Sequence, residues 1–239
     1  MRVNLKRIFF GGIQKNSLID YPWKVSCVLF LPGCNFTCPY CHNPDLALGD
    51  IAPANRIPLE TAFEFLEKRR GLIDGIVISG GEPTMTLGIG QICASIKKLG
   101  YPVKLDTNGS RPDTLARLFD SGCVDYVAMD IKAPPALYTP VITKQDITGK
   151  IEKSIHIIMS SGLDYEFRTT CANPVAGPDT ILDIARSIQG ARKYILQKLN
   201  PNTVLDPDFF KHHPRQPDCS DMEKMRKMVS ALVKSCIIR

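Results

Sequence analysis

The stretch Gly33-Cys34-Asn35-Phe36-Thr37-Cys38-Pro39-Tyr40-Cys41-His42-Asn43-Pro44 holds three cysteines within eight residues. Thiolates at i, i+4 and i+7 of one loop can be directed at a single inorganic centre. A structural zinc site needs four ligands in a tetrahedron. Here a fourth is missing: His42 directly follows Cys41, neighbours in sequence seldom bind one ion, and no Cys-x-x-Cys pair follows downstream. An iron–sulfur cluster, which is held by thiolates, suits the set better. Three thiolates on a four-iron cluster leave one iron open to a ligand from outside the chain. Zinc and plain structural cysteines stand as the alternatives.

Short β-branched runs alternate with longer amphipathic segments along the chain. Strands are expected at Val25–Leu31, Gly75–Ser79 and in the runs PVKLDT, DYVAMDIK, YEFRTT and KYILQ. Helical spacing fills the intervals, with Pro58 suited to a first turn and Gly71 and Gly100 to helix ends. Strands alternating with helices imply repeated βα units, a parallel sheet and the α/β class. Periodicity alone leaves an open doubly wound sheet and a partial barrel as alternatives. One domain over residues 1–239 is expected, with 1–24 as an N-terminal extension and 206–239 as a C-terminal loop and helix. The proline-rich segment Asp206–Asp218 reads as loop.

Each expected strand runs into a polar cluster. The order is the cysteine loop, Ser79-Gly80-Gly81-Glu82-Pro83, Asp106-Thr107-Asn108-Gly109, Asp130-Ile131-Lys132, Arg168-Thr169-Thr170 and Gln197. Any one of these could be a turn or a helix cap. Their recurrence at successive strand ends is what points to a site, because parallel strands bind ligands at their C-terminal ends.

The bulk numbers narrow the class. The chain has 239 residues, 44% hydrophobic and 23% charged, as expected for a globular protein with a substantial core. The formal charge of +6 is mild and no Lys/Arg block resembles a nucleic-acid tail, so no nucleic-acid partner is expected. The N-terminus lacks the apolar core of a secretory signal, and no run is long enough to span a membrane. A cytoplasmic protein is expected. There, nine cysteines favour metal or catalytic roles over disulfides. Cys27, Cys93, Cys123, Cys171, Cys219 and Cys236 are scattered singly and read as small buried hydrophobes.

The cysteine spacing and the Gly80-Gly81-Glu82-Pro83 run resemble those of the radical S-adenosylmethionine (SAM) superfamily. The resemblance covers nearly the whole chain and implies a partial (β/α)6 barrel of the radical SAM type. More narrowly, the sequence GGIQKNSLIDYPWKVSCVLFLPGCNFTCPYCHNP, followed by SGGEP, DTNG and Asp130-x-Lys132, resembles activating enzymes of glycyl-radical enzymes. It most resembles those of anaerobic ribonucleoside-triphosphate reductase, with the pyruvate formate-lyase activating enzymes as relatives. No cysteine lies between Cys41 and Gly80, so a ferredoxin-like insert is not expected and one cluster is.

The resemblance implies a 4Fe-4S cluster on Cys34, Cys38 and Cys41, with SAM chelating the fourth iron and cleaved reductively to an adenosyl radical. It implies that Gly80 and Gly81 present carbonyls to the SAM ammonium, with Glu82 on the same rim. Tyr40 is implied beside adenine, and Asp106 and Lys132 as residues that bind or polarise SAM. Thr107 and Asp130 match positions linked to a monovalent cation. From its strand-end position, Arg168 could clamp a carboxylate or pair with a neighbouring helix. Gln197 could reach ribose or substrate backbone. The implied partners are a glycyl-radical enzyme and a flavodoxin- or ferredoxin-like electron donor. A small-molecule radical SAM enzyme, such as a deazaguanine-forming synthase, is the rival reading. A non-catalytic electron carrier would have no use for the glycine-rich and DTNG strand ends. Each of Cys34→Ala, Cys38→Ala and Cys41→Ala is expected to abolish reductive SAM cleavage, since alanine offers no ligand. Cys27→Ala is expected to retain the cluster. Full cleavage by any of the first three, or iron loss in the last, would overturn the ligand set.

Overall fold

The computed structural model describes residues 7–200, 204–213 and 215–239. In chain order the first strands and helices are β1 (Phe9–Phe10), β2 (Gly12–Ser17), β3 (Ser26–Leu31), α1 (Pro44–Leu48), β4 (Ile57–Pro58), α2 (Leu59–Lys68), β5 (Gly75–Gly80) and α3 (Ile89–Lys98). There follow β6 (Val103–Thr107), α4 (Pro112–Asp120), β7 (Tyr126–Asp130), α5 (Thr148–Ser160), β8 (Asp164–Cys171) and α6 (Ile181–Ser187). The last are β9 (Tyr194–Lys198), α7 (Pro207–His212), α8 (Cys219–Val229) and β10 (Cys236–Ile238). The chain forms two compact units. One comprises the chain up to Asn35, Asp45–Thr107 and Asp113–Val127; the other comprises Phe36–Pro44, Asn108–Pro112 and Ala128–Arg239.

In the first unit β3, β5 and β6 are parallel neighbours, and β2 adds an antiparallel edge to β3. Cys27, Val28, Leu29 and Leu31 of β3 are all buried, as are Ile76, Val77 and Ile78 of β5. Strands covered on both faces read as continuous apolar runs, which is why both were legible. The covering helix α3 buries Ile89, Ile92, Cys93 and Ile96, the i, i+3, i+4, i+7 stripe of an amphipathic helix. Tyr21, Val28, Val77 and Tyr126 form a core cluster, the two tyrosine rings 5.8 Å apart. The row Val28–Val77 continues onto β6 at Lys104, which is wholly buried.

In the second unit β8, β9 and β10 are parallel neighbours, with Phe167 paired to Tyr194 and Cys236 to Tyr194 on its other side. The Ile131 N–H donates to the Arg168 carbonyl at 2.8 Å, aligning the end of β7 with β8. Tyr194 Oη donates to Thr169 Oγ1 (2.8 Å), and Thr169 Oγ1 donates to the Ile131 carbonyl (2.8 Å). This relay satisfies hydroxyls that would be costly to bury alone. Within each unit the parallel strands present their polar C-terminal ends on one edge.

All six expected strands are present. Two longer-range features differ from expectation. β2 carries the sequence GIQKNS with three exposed positions, and so offers no apolar run to read. The closing helix stops at Val229 short of the chain's last residues, and Cys236–Ile238 pairs with β9 as β10. The segment expected to be loop contains α7: the Asp206 carboxylate accepts from the Asp208 and Phe209 N–H groups, and Pro207 stands at the first turn. Pro58 precedes α2 rather than lying in its first turn.

Candidate active site

In the first unit the strand ends are joined by backbone. The Gly81 N–H donates to the Leu31 carbonyl (2.9 Å), and the Glu82 N–H to the Gly33 carbonyl (2.8 Å). A Cβ at Gly80 would lie 2.1 Å from Leu31 O, and one at Gly81 would lie 2.2 Å from Gly33 O. Both glycines are therefore required by the close approach of the cysteine loop itself. Gly33 and Cys34 are held from the other side by N–H donation to the Leu46 and Ala47 carbonyls at 2.7 and 2.9 Å. The loop entering Cys34 is thus fixed by main chain on both sides.

Glu82 is 1% exposed. Its Oε1 accepts from the Thr84 N–H (3.0 Å), from the Thr84 hydroxyl, and from Thr107 Oγ1 (2.8 Å). It ties the end of β5 to the end of β6, a structural task. Asp106 is bonded by the ammonium of Lys104, which also lies 5.9 Å from the centre of the Tyr126 ring. Lys104 carries no motif, and in the sequence it stands between the apolar Val103 and Leu105. A charge at that point, two residues before Asp106, was the available signal.

In the second unit Cys38 is buried and Cys41 half-buried, their turn closed by the Cys41 N–H to the Cys38 carbonyl (3.0 Å). The loop is anchored further by Thr37 N–H to the Ile142 carbonyl (3.0 Å) and Asp206 N–H to the Pro39 carbonyl (2.9 Å). Lys132 is clamped by two buried tyrosines. Tyr40 Oη donates to its carbonyl (2.8 Å), and its N–H donates to Tyr138 Oη (2.9 Å). Tyr138 in turn packs edge-on against Phe36, ring centres 5.8 Å apart. Tyr138 belongs to no sequence motif and was missed.

The carboxylate of Asp130 takes Lys132 Nζ on Oδ2 (3.0 Å) and Arg168 Nε on Oδ1 (2.7 Å). Burial alone would raise its pKa, but the two cations outweigh burial and hold it well below the usual carboxylate range. Burial likewise opposes the charge on Lys132, yet Asp130 and Cys38 raise its pKa above the ordinary lysine value. Arg168 therefore pairs with the neighbouring strand. With both oxygens of Asp130 engaged by cations, this carboxylate is poorly suited to a monovalent cation. His42 accepts the Asn200 N–H on Nε2 (3.2 Å), which leaves the proton on Nδ1, and burial followed by Lys132 lowers its pKa. Gln197 is half-buried, paired in register with Thr170.

The cysteines of the loop offer only sulfur, which suits an iron–sulfur cluster and not a hard cation. Among the described residues no three His, Cys, Asp or Glu side chains converge as ligands of one metal ion. A cluster differs in that each thiolate binds its own iron. Cys27 stands apart: it is buried within β3, and burial pushes its thiol up to about 12, with Arg69 opposing only in part.

Residues 28–189 match the family model of the radical SAM superfamily. The chain belongs to that superfamily. It is 34% identical, over 96% of its own length and 95% of the relative's, to a protein of Methanocaldococcus jannaschii named "Putative glycyl-radical enzyme activating enzyme". It is also 29% identical, over 51% of each chain, to the pyruvate formate-lyase-activating enzyme of Clostridium pasteurianum. This places it in the activating-enzyme family. Among solved structures it resembles Streptococcus suis SuiB bound to S-adenosylmethionine, with a TM-score of 0.63 at 13% identity, covering 89% of this chain and 51% of that one. That likeness is one of fold: α/β, mostly parallel strands, of the radical SAM partial-barrel type. A 4Fe-4S cluster and SAM are implied by the family. No helix among the described residues is long and apolar enough to cross a membrane.

Asp130→Asn removes the only carboxylate between Arg168 and Lys132 in this trio. Leaving two adjacent buried cations should cost about 3–5 kcal/mol at neutral pH. Because the folded pKa lies below the ordinary 3.8, the native contribution is full above that value and falls away as pH drops through the folded pKa. The stability gap between wild type and variant, measured by denaturant unfolding, should therefore be wide at neutral pH and shrink in acid. A gap independent of pH would refute this account of the trio.

Proposed function

We propose that this chain installs a glycyl radical on a partner enzyme, anaerobic ribonucleoside-triphosphate reductase, using one 4Fe-4S cluster and SAM. The observation that carries the reading is the end-to-end match to an activating enzyme, 95% of whose length is covered. The choice of reductase rests on the sequence from Gly11 to Pro44. The half-length similarity to a pyruvate formate-lyase-activating enzyme keeps that lyase as the second candidate partner.

Cys34, Cys38 and Cys41 would hold the cluster. When bound, cluster and SAM together supply one-electron cleavage that ends in removal of a hydrogen atom from a glycine Cα. The residues of this chain bind, orient and exclude water. Lys132, charged and clamped by two tyrosines, supplies a fixed cation near Cys38; Asp106, held by buried Lys104, supplies a fixed anion at its own strand end. Gly80 and Gly81 expose main chain without side chains, and Tyr40, Glu82, Thr107, Asp130, Arg168 and Gln197 complete the proposed surroundings. Neither Thr107, bonded to Glu82, nor Asp130, bonded to two cations, is assigned a monovalent cation. The net charge of +6 suits an acidic flavodoxin- or ferredoxin-like donor.

Lys132→Met and Asp106→Asn should keep normal cluster absorbance while SAM cleavage falls at least about tenfold, the loss of roughly one charged contact of 1.4 kcal/mol. Wild-type cleavage in both would show that these strand ends are turns only.

Abstraction requires the glycine Cα at contact distance, so the reaction must be specific to a docked partner. The chain is incubated anaerobically with SAM, a reductant and reductase deuterated at its glycine Cα. A stable glycyl-radical signal and deuterium in the released 5′-deoxyadenosine are expected. Label transfer from pyruvate formate-lyase alone would reassign the partner. Transfer from neither protein, with turnover of a small heterocycle instead, would overturn the activase reading.

A further inference from the structure

The chain's single tryptophan, Trp23, is fully exposed. It stands in the loop between β2 and β3, at the end of β3 opposite the cysteine loop. The Lys24 N–H donates to the Tyr21 carbonyl (3.2 Å), closing a turn with Pro22 and Trp23 at its centre. Trp23 has φ 64°, and among the described residues no other non-glycine has a positive φ. Proline followed by a positive φ is the pattern of a type II turn, in which this place favours glycine. A bulky side chain is costly in that conformation, and no described part of the chain packs on the ring to offset the cost. Leu18 and Ile19, in the same loop, are 78% and 69% exposed. Yet the loop is firmly built. Tyr21 is its buried root, in the core cluster with Val28 and Val77. Ser17 Oγ accepts the Ile19 and Asp20 N–H groups (3.3 and 3.2 Å) and donates to the Asp20 carboxylate. The Val25 N–H donates to Asp74 Oδ2 (3.0 Å) and the Asp74 N–H to the Val25 carbonyl (2.6 Å), which joins the turn before β5 to the loop. That turn exposes Leu72 and carries Arg69, which hydrogen-bonds Asn16 of β2. Residues 15–24 and 69–74 hold Lys15, Lys24, Arg69 and Arg70 against Asp20 and Asp74, four cations against two carboxylates. A rigid apolar tip thus stands in a positive surround.

We propose that Trp23, with Leu18, Ile19 and Leu72, is the docking anchor for the partner enzyme and seats in an apolar pocket rimmed by carboxylates on that protein. The inference rests on the activase reading, in which the chain must hold a protein while its glycine reacts. Three observations select this occupant. The positive surround favours an acidic surface and disfavours a second copy of this chain, whose own tip carries the same charge. The left-handed turn fixes one direction for the indole; a protein pocket needs a set direction, whereas a fluid lipid surface accepts any. A rigid tryptophan beside arginines is the composition of an interface hot spot. Since β3 has six residues, the tip lies about 20 Å from the cysteine loop. A partner that reaches both ends is macromolecular, and it can stay anchored at one while its glycine segment enters and leaves at the other.

The test uses the cluster-loaded chain, kept anaerobic with SAM and a reductant, and the reductase, or the lyase should label transfer assign it. Trp23→Gly removes the ring and suits the left-handed backbone, so the variant should fold at least as stably as the wild type. The partner concentration for half-maximal radical formation is expected to rise about tenfold or more, with the maximal rate and partner-free SAM cleavage unchanged. Arg70→Glu should raise it as well, and the wild-type value should rise with salt. Because Trp23 is the only tryptophan, 5-hydroxytryptophan incorporated in its place reports on this site alone when excited beyond the absorption of ordinary tryptophan in the added protein. Its quenching by acrylamide should fall severalfold when the partner is added. An unchanged half-maximal concentration in Trp23→Gly, or undiminished quenching, would overturn the inference and leave the activase reading standing. Protection of the fluorophore by vesicles of anionic phospholipid, or by concentrating the chain alone, in place of protection by the partner would overturn it in favour of a lipid surface or self-association. Absence of a radical on either protein with the wild-type chain would refute the activase reading, and this inference with it.

Discussion

The strand ends of the first unit depend on one steric fact: there is no room for a Cβ at Gly80 or Gly81. With the Leu31 and Gly33 carbonyl oxygens at 2.1 and 2.2 Å from those imagined atoms, any side chain would force β3 and β5 apart where the cysteine loop begins. The hydrogen bonds from Gly81 and Glu82 follow from that proximity. So does the place of Glu82, which is drawn in far enough to collect Thr84 and, from β6, Thr107. Three strand ends are thereby registered by two glycines and one carboxylate. Since the restraint is main chain, the approach to Cys34 is as rigid as the sheet.

The second unit reaches rigidity by a different route, through charge. Asp130, Lys132 and Arg168 would each be costly to bury alone; together one anion meets two cations. Such a trio is stable only if its members cannot drift. Lys132 is prevented from drifting by hydroxyls at both its carbonyl and its N–H. Those tyrosines are apolar everywhere except at the tip, so they carry a polar contact into a dry region at little further cost.

The βα order was legible because each parallel strand is buried on both faces and each helix on one, giving two distinct periods. What escaped was structure without an apolar signature. β2 is polar and holds an edge, β10 is three residues long, and α7 depends on the Asp206 cap within a proline-rich run. For the site, the positions of Cys34, Cys38, Cys41 and the Gly-Gly-Glu run could be read from spacing, but the reasons behind them could not. The glycines suggest room for a ligand, whereas the nearer neighbour is the protein's own backbone. Arg168 suggests a clamp for a carboxylate from outside, whereas Asp130 already occupies its Nε. Tyr138 bears on the site entirely through tertiary contact, so no local pattern marks it, whereas Lys104 is marked only by its charge two residues before Asp106.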